Sequence, residues 1–259
     1  MWVGDGMEVV YLRFPNADYM TDVLRAITAV IEEGTFKVSS ESMRLTAMDP
    51  AHISLVDLEL RKESAEEYRV SREIEITLNV EELVKLLRRA KRSEALAISY
   101  DDEVRRLTVK LADVRGGKER DFVISTLEPM GTSINPPNLN FEAWVKVSSD
   151  EFYEAIEDAK TISDAVRITI RPDSLIILAK GESRSSQHKF TKGGAALHEV
   201  DTRSDVTASF SVAYLEKIIR PAKQLSEEMT LHLSNNRPIK LSFPLSGGKI
   251  DYLIAPRMD

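Results

Sequence analysis

Apolar and polar positions follow one order four times along the 259-residue chain: a strand, a short helix, then a hairpin of alternating strands. Spacings of three and four predict helices over about 17–33 (Met20, Val23, Leu24, Ile27, Val30, Ile31) and 79–92 (Leu83, Leu86, Leu87, Ala90). The same spacing predicts helices over about 148–161 (Phe152, Ile156, Ala159) and 211–225 (Leu215, Ile218, Ile219). Each has one buried face. Ser148 with Glu151, and Asn79 with Glu82, have the form of N-caps with an acidic residue three places on. Strands precede the helices at "MEVVYLRF", "EIEITLN", "FEAWVKVS" and "VTASFSV". Hairpins follow them at "FKVSSESMRLTAM", "LAISYDDEVRRLTVKL", "VRITIRPDSLIILAK" and "MTLHLSNNRPIKLSF", with turn residues between the paired strands.

The helix starts set a period. The first and third lie about 131 residues apart, as do the second and fourth to within a residue. Only the middle step is longer than its counterparts. The surplus falls on "LEPMGTSINPPNLN", which is rich in Pro, Asn and Gly and reads as a linker between two similar domains. The predicted fold class is α+β, with a first domain over 1–126, a connector over 127–140 and a second domain over 141–259.

One stretch stands out: "LTAMDPAHISLVDLEL", Leu45 to Leu60. After the proline it alternates as a strand with one wet and one dry face, with Ile53, Leu55 and Leu58 apolar. A Met-Asp-Pro turn and His52 stand at its entrance. His52 is open to three readings: a catalytic group, a metal ligand, or a residue that does no chemistry.

Composition narrows the function. An apolar fraction of 42% builds a real core. The absence of cysteine excludes disulfides and thiolate metal sites and points to a reducing compartment. No apolar run approaches the roughly 20 residues a bilayer-spanning helix needs. The start, "MWVGDGMEVV", lacks the regions of a signal peptide, and residues 1–6 read as a tail before a strand. A net charge of −7 opposes a nucleic-acid binder that works by phosphate neutralisation.

Enzyme motifs are weak. His52, His188, His198 and His232 show no metal-ligand spacing. "SGGKI" lacks both the first glycine and the Ser/Thr of a phosphate loop and reads as a hairpin turn. "GDG" at 4–6 precedes a strand rather than following one, which is wrong for a dinucleotide site. Asp101 and Asp102 read as turn residues. His52 with Asp49 is the one pair with a hydrolase reading, and it has no further support.

"LTAMDPAHISLVDLEL" near residue 50 and "YLIAPRMD" at the end resemble the signatures of the PCNA-type DNA sliding clamp, most closely its archaeal form. The resemblance runs through the duplication and the linker. It implies a DNA-clamp fold: two similar domains per chain, each with two strand-helix-strand-strand units, helices on the inner face, sheets outside, three subunits forming a ring. It implies no enzyme activity and no cofactor. The implied partners are encircled double-stranded DNA, and DNA polymerase, flap endonuclease, DNA ligase and a clamp loader ATPase, bound through short peptide motifs. The implied assembly is a homotrimer, or a heterotrimer with sister subunits, with no membrane, in the archaeal cytoplasm (the nucleus, if eukaryotic). A checkpoint-type clamp of the same fold is the alternative. A ring held by topology needs only a basic lining, so an acidic exterior fits.

Lys85, Arg88, Arg89 and Arg92 share one face of the second predicted helix. The resemblance makes that face DNA-facing, with Lys217, Arg220 and Lys223 on the fourth helix and Arg25 on the first. The third helix departs from this pattern, with Asp150, Glu151, Glu154, Glu157 and Asp158 against Lys160. The resemblance also implies a partner-peptide groove. One wall is Met48, His52 (as a rim hydrogen-bonding residue) and Leu55. A second is the linker's Ile134, Pro136 and Pro137. Pro238, Leu253, Ile254, Ala255 and Pro256 complete it. Ile134 and Ile254, in a loop and a tail, are expected to be exposed. Subunits are expected to join through edge strands 119–126 and 185–192, with Phe122, Ile124, His188 and Phe190 at the contact.

Overall fold

The computed structural model describes residues 8–91, 93–129 and 134–257. The first half of the chain begins with β1 (Val10–Phe14), α1 (Ala17–Ile27), β2 (Glu33–Val38), β3 (Ser42–Met48), β4 (Ser54–Arg61) and β5 (Glu67–Val70). It continues with β6 (Ile74–Asn79), α2 (Val80–Leu87), β7 (Glu94–Asp101), β8 (Arg106–Asp113) and β9 (Glu119–Ser125). The second half opens with β10 (Ala143–Ser148), α3 (Ser149–Lys160), β11 (Ala165–Arg171), β12 (Ser174–Lys180), β13 (Ser185–Thr191) and β14 (Leu197–Asp201). It closes with β15 (Val206–Ser211), α4 (Val212–Ala222), β16 (Glu228–Leu233), β17 (Ile239–Leu245) and β18 (Gly248–Ile254). Both halves therefore run strand, helix, five strands, helix, three strands, which is the duplication expected from the helix spacing. No helix among the described residues is long and apolar enough to cross a membrane.

Two compact units form. One holds Met1–Ala47, Asp57–Ile134 and Ser246–Lys249; the other holds Met48–Val56, Asn135–Leu245 and Ile250–Asp259. In the first unit the strand order β5-β1-β7-β8-β9 is antiparallel throughout. Helices α1 and α2 pack on each other, burying Met20, Val23, Leu24, Ile27, Leu83, Val84 and Leu87. In the second unit the orders are β13-β12-β11-β15 and β14-β10-β16-β17. Helices α3 and α4 pack together over Phe152, Ile156, Leu215, Ile218 and Ile219. Asn79 accepts from the Glu82 N–H at 2.8 Å and Ser148 from the Glu151 N–H at 3.4 Å, so both expected N-caps form.

Three helices end earlier than their apolar spacing predicts. Helix α1 stops at Ile27 rather than near 33. Ala29, Val30 and Ile31 are consecutive apolar residues, and a continuing helix would turn one of them to water; a turn buries all three. Helix α2 stops at Leu87 rather than 92, because the Glu94 carboxylate accepts the Lys91 N–H at 2.7 Å and draws the chain into β7. Helix α4 ends at Ala222, one residue past Pro221, whose missing N–H and ring limit the helix.

The "SGGKI" segment is the hairpin turn between β17 and β18. Its glycines have steric causes. Gly247 sits at φ 75°. A Cβ on Gly248 would lie 2.0 Å from the Glu59 carbonyl oxygen.

Candidate partner groove, edge strands and helix faces

The 49–54 turn is built around Asp49. Its N–H donates to the Ser54 carbonyl at 2.9 Å, and its carbonyl accepts the His52 N–H at 2.9 Å. Its carboxylate accepts the N–H groups of Ile53 (2.8 Å) and Ser54 (2.5 Å). Pro50 supplies a fixed φ at the bend, and His52 takes the left-handed region at φ 57°. Burial pushes the Asp49 carboxyl up, but hydrogen bonds from Ser54, Ile53 and Ala51 outweigh it and hold the group below the usual carboxylate range. The Asp49–His52 pair is not a catalytic dyad. The carboxylate is committed to backbone donors, and the exposed His52 ring makes no hydrogen bond among the described residues.

The C-terminal tail meets this turn. The Ala255 N–H donates to the Ile53 carbonyl at 2.8 Å, and the Arg257 N–H donates to Ser209 on β15 at 2.8 Å. Met48, Ile53, Pro238, Leu253, Ala255 and Pro256 are half-buried, and His52 is exposed. Ile134 is half-buried, while Pro136 and Pro137 are exposed. Two expected groove residues are corrected. Leu55 is 3% exposed and Ile254 is 0% exposed. Ile250, Tyr252 and Ile254 alternate on the core-facing side of β18, so the expected exposure of the tail isoleucine does not hold. Ile53, whose side chain the alternation placed on the dry face, lies instead in the turn with its carbonyl on the tail.

Strands β9 and β13 are edges: each has one strand neighbour, β8 and β12 respectively. Both alternate exposed and half-buried residues. Phe122, Ile124, His188 and Phe190 fall on the half-buried faces. His188 Nε2 lies 3.0 Å from an Asp158 carboxylate oxygen, and the ring stacks near Phe190 at 6.3 Å between centroids. On β9, Arg120 pairs with the buried Glu94 at 2.5 Å and donates to the Arg89 carbonyl at 3.1 Å.

The basic positions divide by unit. In the first, Lys85 projects to solvent with Glu81 at 3.1 Å, and Arg25 pairs with Asp22 at 2.9 Å. Arg88 caps α2 and Arg89 follows it, both exposed; Arg92 lies outside the described residues. In the second unit a cation at the end of α4 meets one acid of α3, and α3's own Lys160 meets an acid of α4. Glu216 pairs with Lys160 (3.6 Å) and Arg220 (3.7 Å), and Asp150 pairs with Lys223. The Lys223 ammonium also lies 4.9 Å over the Tyr153 ring. Lys217 is exposed.

Sequence profiles of two halves of one family cover the chain: Proliferating cell nuclear antigen, N-terminal domain, over residues 9–128 and its C-terminal domain over 135–257. The chain belongs to the proliferating cell nuclear antigen family. A "DNA polymerase sliding clamp" of Thermofilum pendens is 31% identical, over 95% of this chain and 98% of the relative. "DNA polymerase sliding clamp 1" of Pyrobaculum aerophilum is 31% identical over 96% and 98%. The crystal structure of PCNA from Thermococcus kodakaraensis matches the fold with a TM-score of 0.89 at 24% identity, covering 96% of this chain and all of that one. The family is a non-enzymatic scaffold, so the chain is not an enzyme. The α+β fold with two family domains is the one expected from the sequence.

The sequence singled out Asp49 only as a hydrolase partner of His52, and Tyr214, whose hydroxyl lies 3.4 Å from the Asp49 carboxylate, not at all. An Asp before Pro in a hairpin loop is a legible turn cap. Nothing local to Tyr214 signals its hydroxyl's approach to Asp49.

Proposed function

We propose that the chain is a DNA sliding clamp subunit. Three copies close a ring around duplex DNA, and each copy tethers replication and repair enzymes through the groove between the 49–54 turn and the C-terminal tail. The carrying observation is that two of the edge strands, β9 in the first unit and β13 in the second, lie on one chain of this family. Each edge offers charged and apolar positions to the other, although Glu119 and Asp121 also lie within 4.0 Å and 3.8 Å of Lys110 on β8. Glu119 and Asp121 stand exposed on β9 where β13 exposes Lys189, and Phe122 and Ile124 can meet His188 and Phe190. A contact between two different edges is head-to-tail, which closes into a ring when the rotation allows. Every subunit of a homotrimer, or of a ring with sister subunits, needs both halves of the contact, so the two edges fit either assembly.

Under this reading the connector is 127–140, between domains over 1–126 and 141–259. Lys85, Arg88, Arg89, Lys217 and Arg25 face the duplex; Arg92, expected with them, lies outside the described residues. Arg220 and Lys223, like Lys85 and Arg25, hold their charges beside a carboxylate of their own unit. Polymerase, flap endonuclease, ligase and the ATPase loader dock by short peptides, in the cytoplasm. Primer extension on a long primed template tests the reading. Added protein should lengthen the products made per binding event. Reversing Lys85, Arg88 and Arg89 to Glu should remove most of that gain while leaving the sizing profile unchanged. A wild type with no effect on product length would refute the clamp reading.

A further inference from the structure

Asp49 is 7% exposed, one of three buried carboxylates among the described residues with Glu94 and Asp251. A hairpin turn needs no buried charge, and burial of an ionised group is costly unless donors compensate. Here donors converge on it from two parts of the second unit, the turn itself and α4. Ile53 and Ser54 donate from the turn, and the Tyr214 hydroxyl donates from the first turn of α4 at a long 3.4 Å. The turn it fixes offers the Ile53 carbonyl to the Ala255 N–H, while two residues on the tail is held again by the Ser209 carbonyl within β15, the strand that leads into α4. Turn, tail and the start of α4 thus form a closed circuit with Asp49 at one corner.

We propose that Asp49 is the positioning residue of the partner-peptide groove, holding the turn, the C-terminal tail and the start of α4 in the binding arrangement. The proposal rests on the groove reading above. Asp49 lies behind the groove walls and acts through Ile53 and His52. Its effect is preorganisation: a turn already in place spares a partner the cost of ordering it. A turn that is binding-competent only a tenth of the time weakens apparent affinity about tenfold. The Tyr214 bond ties the turn to the first turn of α4.

The test is calorimetry of the assembled protein with a synthetic peptide carrying one aliphatic and two adjacent aromatic anchors. Asp49→Ala is expected to lower affinity about tenfold while sizing stays unchanged. Asp49→Asn keeps an oxygen for the Ile53 and Ser54 donors and places its amide toward the Tyr214 oxygen, so affinity should stay within about twofold of wild type. Tyr214→Phe keeps the turn's own bonds and loses only the link to α4; a loss of about threefold is expected for one long hydrogen bond. Leu253→Asp serves as the control for the groove itself. If it abolishes binding while Asp49→Ala and Tyr214→Phe bind as wild type, the positioning role is wrong and the groove stands. If Asp49→Ala does not fold, wild-type affinity in Tyr214→Phe alone refutes the circuit. If Leu253→Asp binds as wild type, the groove reading fails and takes this proposal with it.

Discussion

Replacing Phe122 or Phe190 with Asp should convert the assembled protein to smaller species on sizing with light scattering. Each phenylalanine is half-buried in the single chain, on the inner face of an edge strand. The isolated subunit can therefore keep a carboxylate there partly solvated. Pairing of β9 with β13 removes that water. An uncompensated charge at such a contact costs on the order of 3–5 kcal/mol, which is roughly two to three or more orders of magnitude in the dissociation constant. The subunit itself should melt near the wild-type temperature. Variants that keep the wild-type mass, beside a trimeric wild type, would move the interface off these strands. A monomeric wild type would point instead to sister subunits.

The second large effect separates two neighbours in the tail. Ile254→Asp should cost folding rather than binding. The side chain is 0% exposed, and an unpaired carboxylate there loses the apolar burial and remains undersolvated. The expected loss is about 4 kcal/mol or more, a large share of the roughly 5–15 kcal/mol that holds a domain folded. Leu253→Asp, on the half-buried face of the same strand, should keep the fold. A micromolar partner peptide, about −8 kcal/mol, should lose at least about 2 kcal/mol of affinity when its apolar anchor meets that carboxylate. Thermal melts with calorimetry on both variants check this. An Ile254→Asp protein that melts like wild type, or a Leu253→Asp protein that binds the peptide like wild type, would contradict the assignment of the two faces.

The duplication was legible because it rests on four amphipathic helices, and apolar residues three and four apart are a strong local signal. Helix ends were less so. Ala29-Val30-Ile31 extends an apolar run, and only the sheet it turns into shows that the helix stops at Ile27. Ile254 was misplaced by its nearness to the end of the chain, although "IDYLI" already carries the alternation that buries Ile250, Tyr252 and Ile254. The acidic face of α3 was illegible for another reason. The cation shown beside its first-turn acid, Lys223 at the end of α4, is 73 residues from Asp150, and no local rule links them. Asp49 falls between these cases. Its cap on Ile53 and Ser54 follows from turn chemistry, while its bond to Tyr214 spans 165 residues and appears only in the fold.

The claim that this chain encircles duplex DNA is tested most directly by how it is retained. Protein loaded by its ATPase loader onto closed DNA circles is washed in about 1 M salt, where charge contacts are screened within roughly 3 Å. The same circles are then cut once. A topological ring stays on the closed circles through the wash and runs off after the cut. Protein that leaves closed and linear DNA equally in salt would be bound by phosphate contacts alone, and the clamp account would be contradicted.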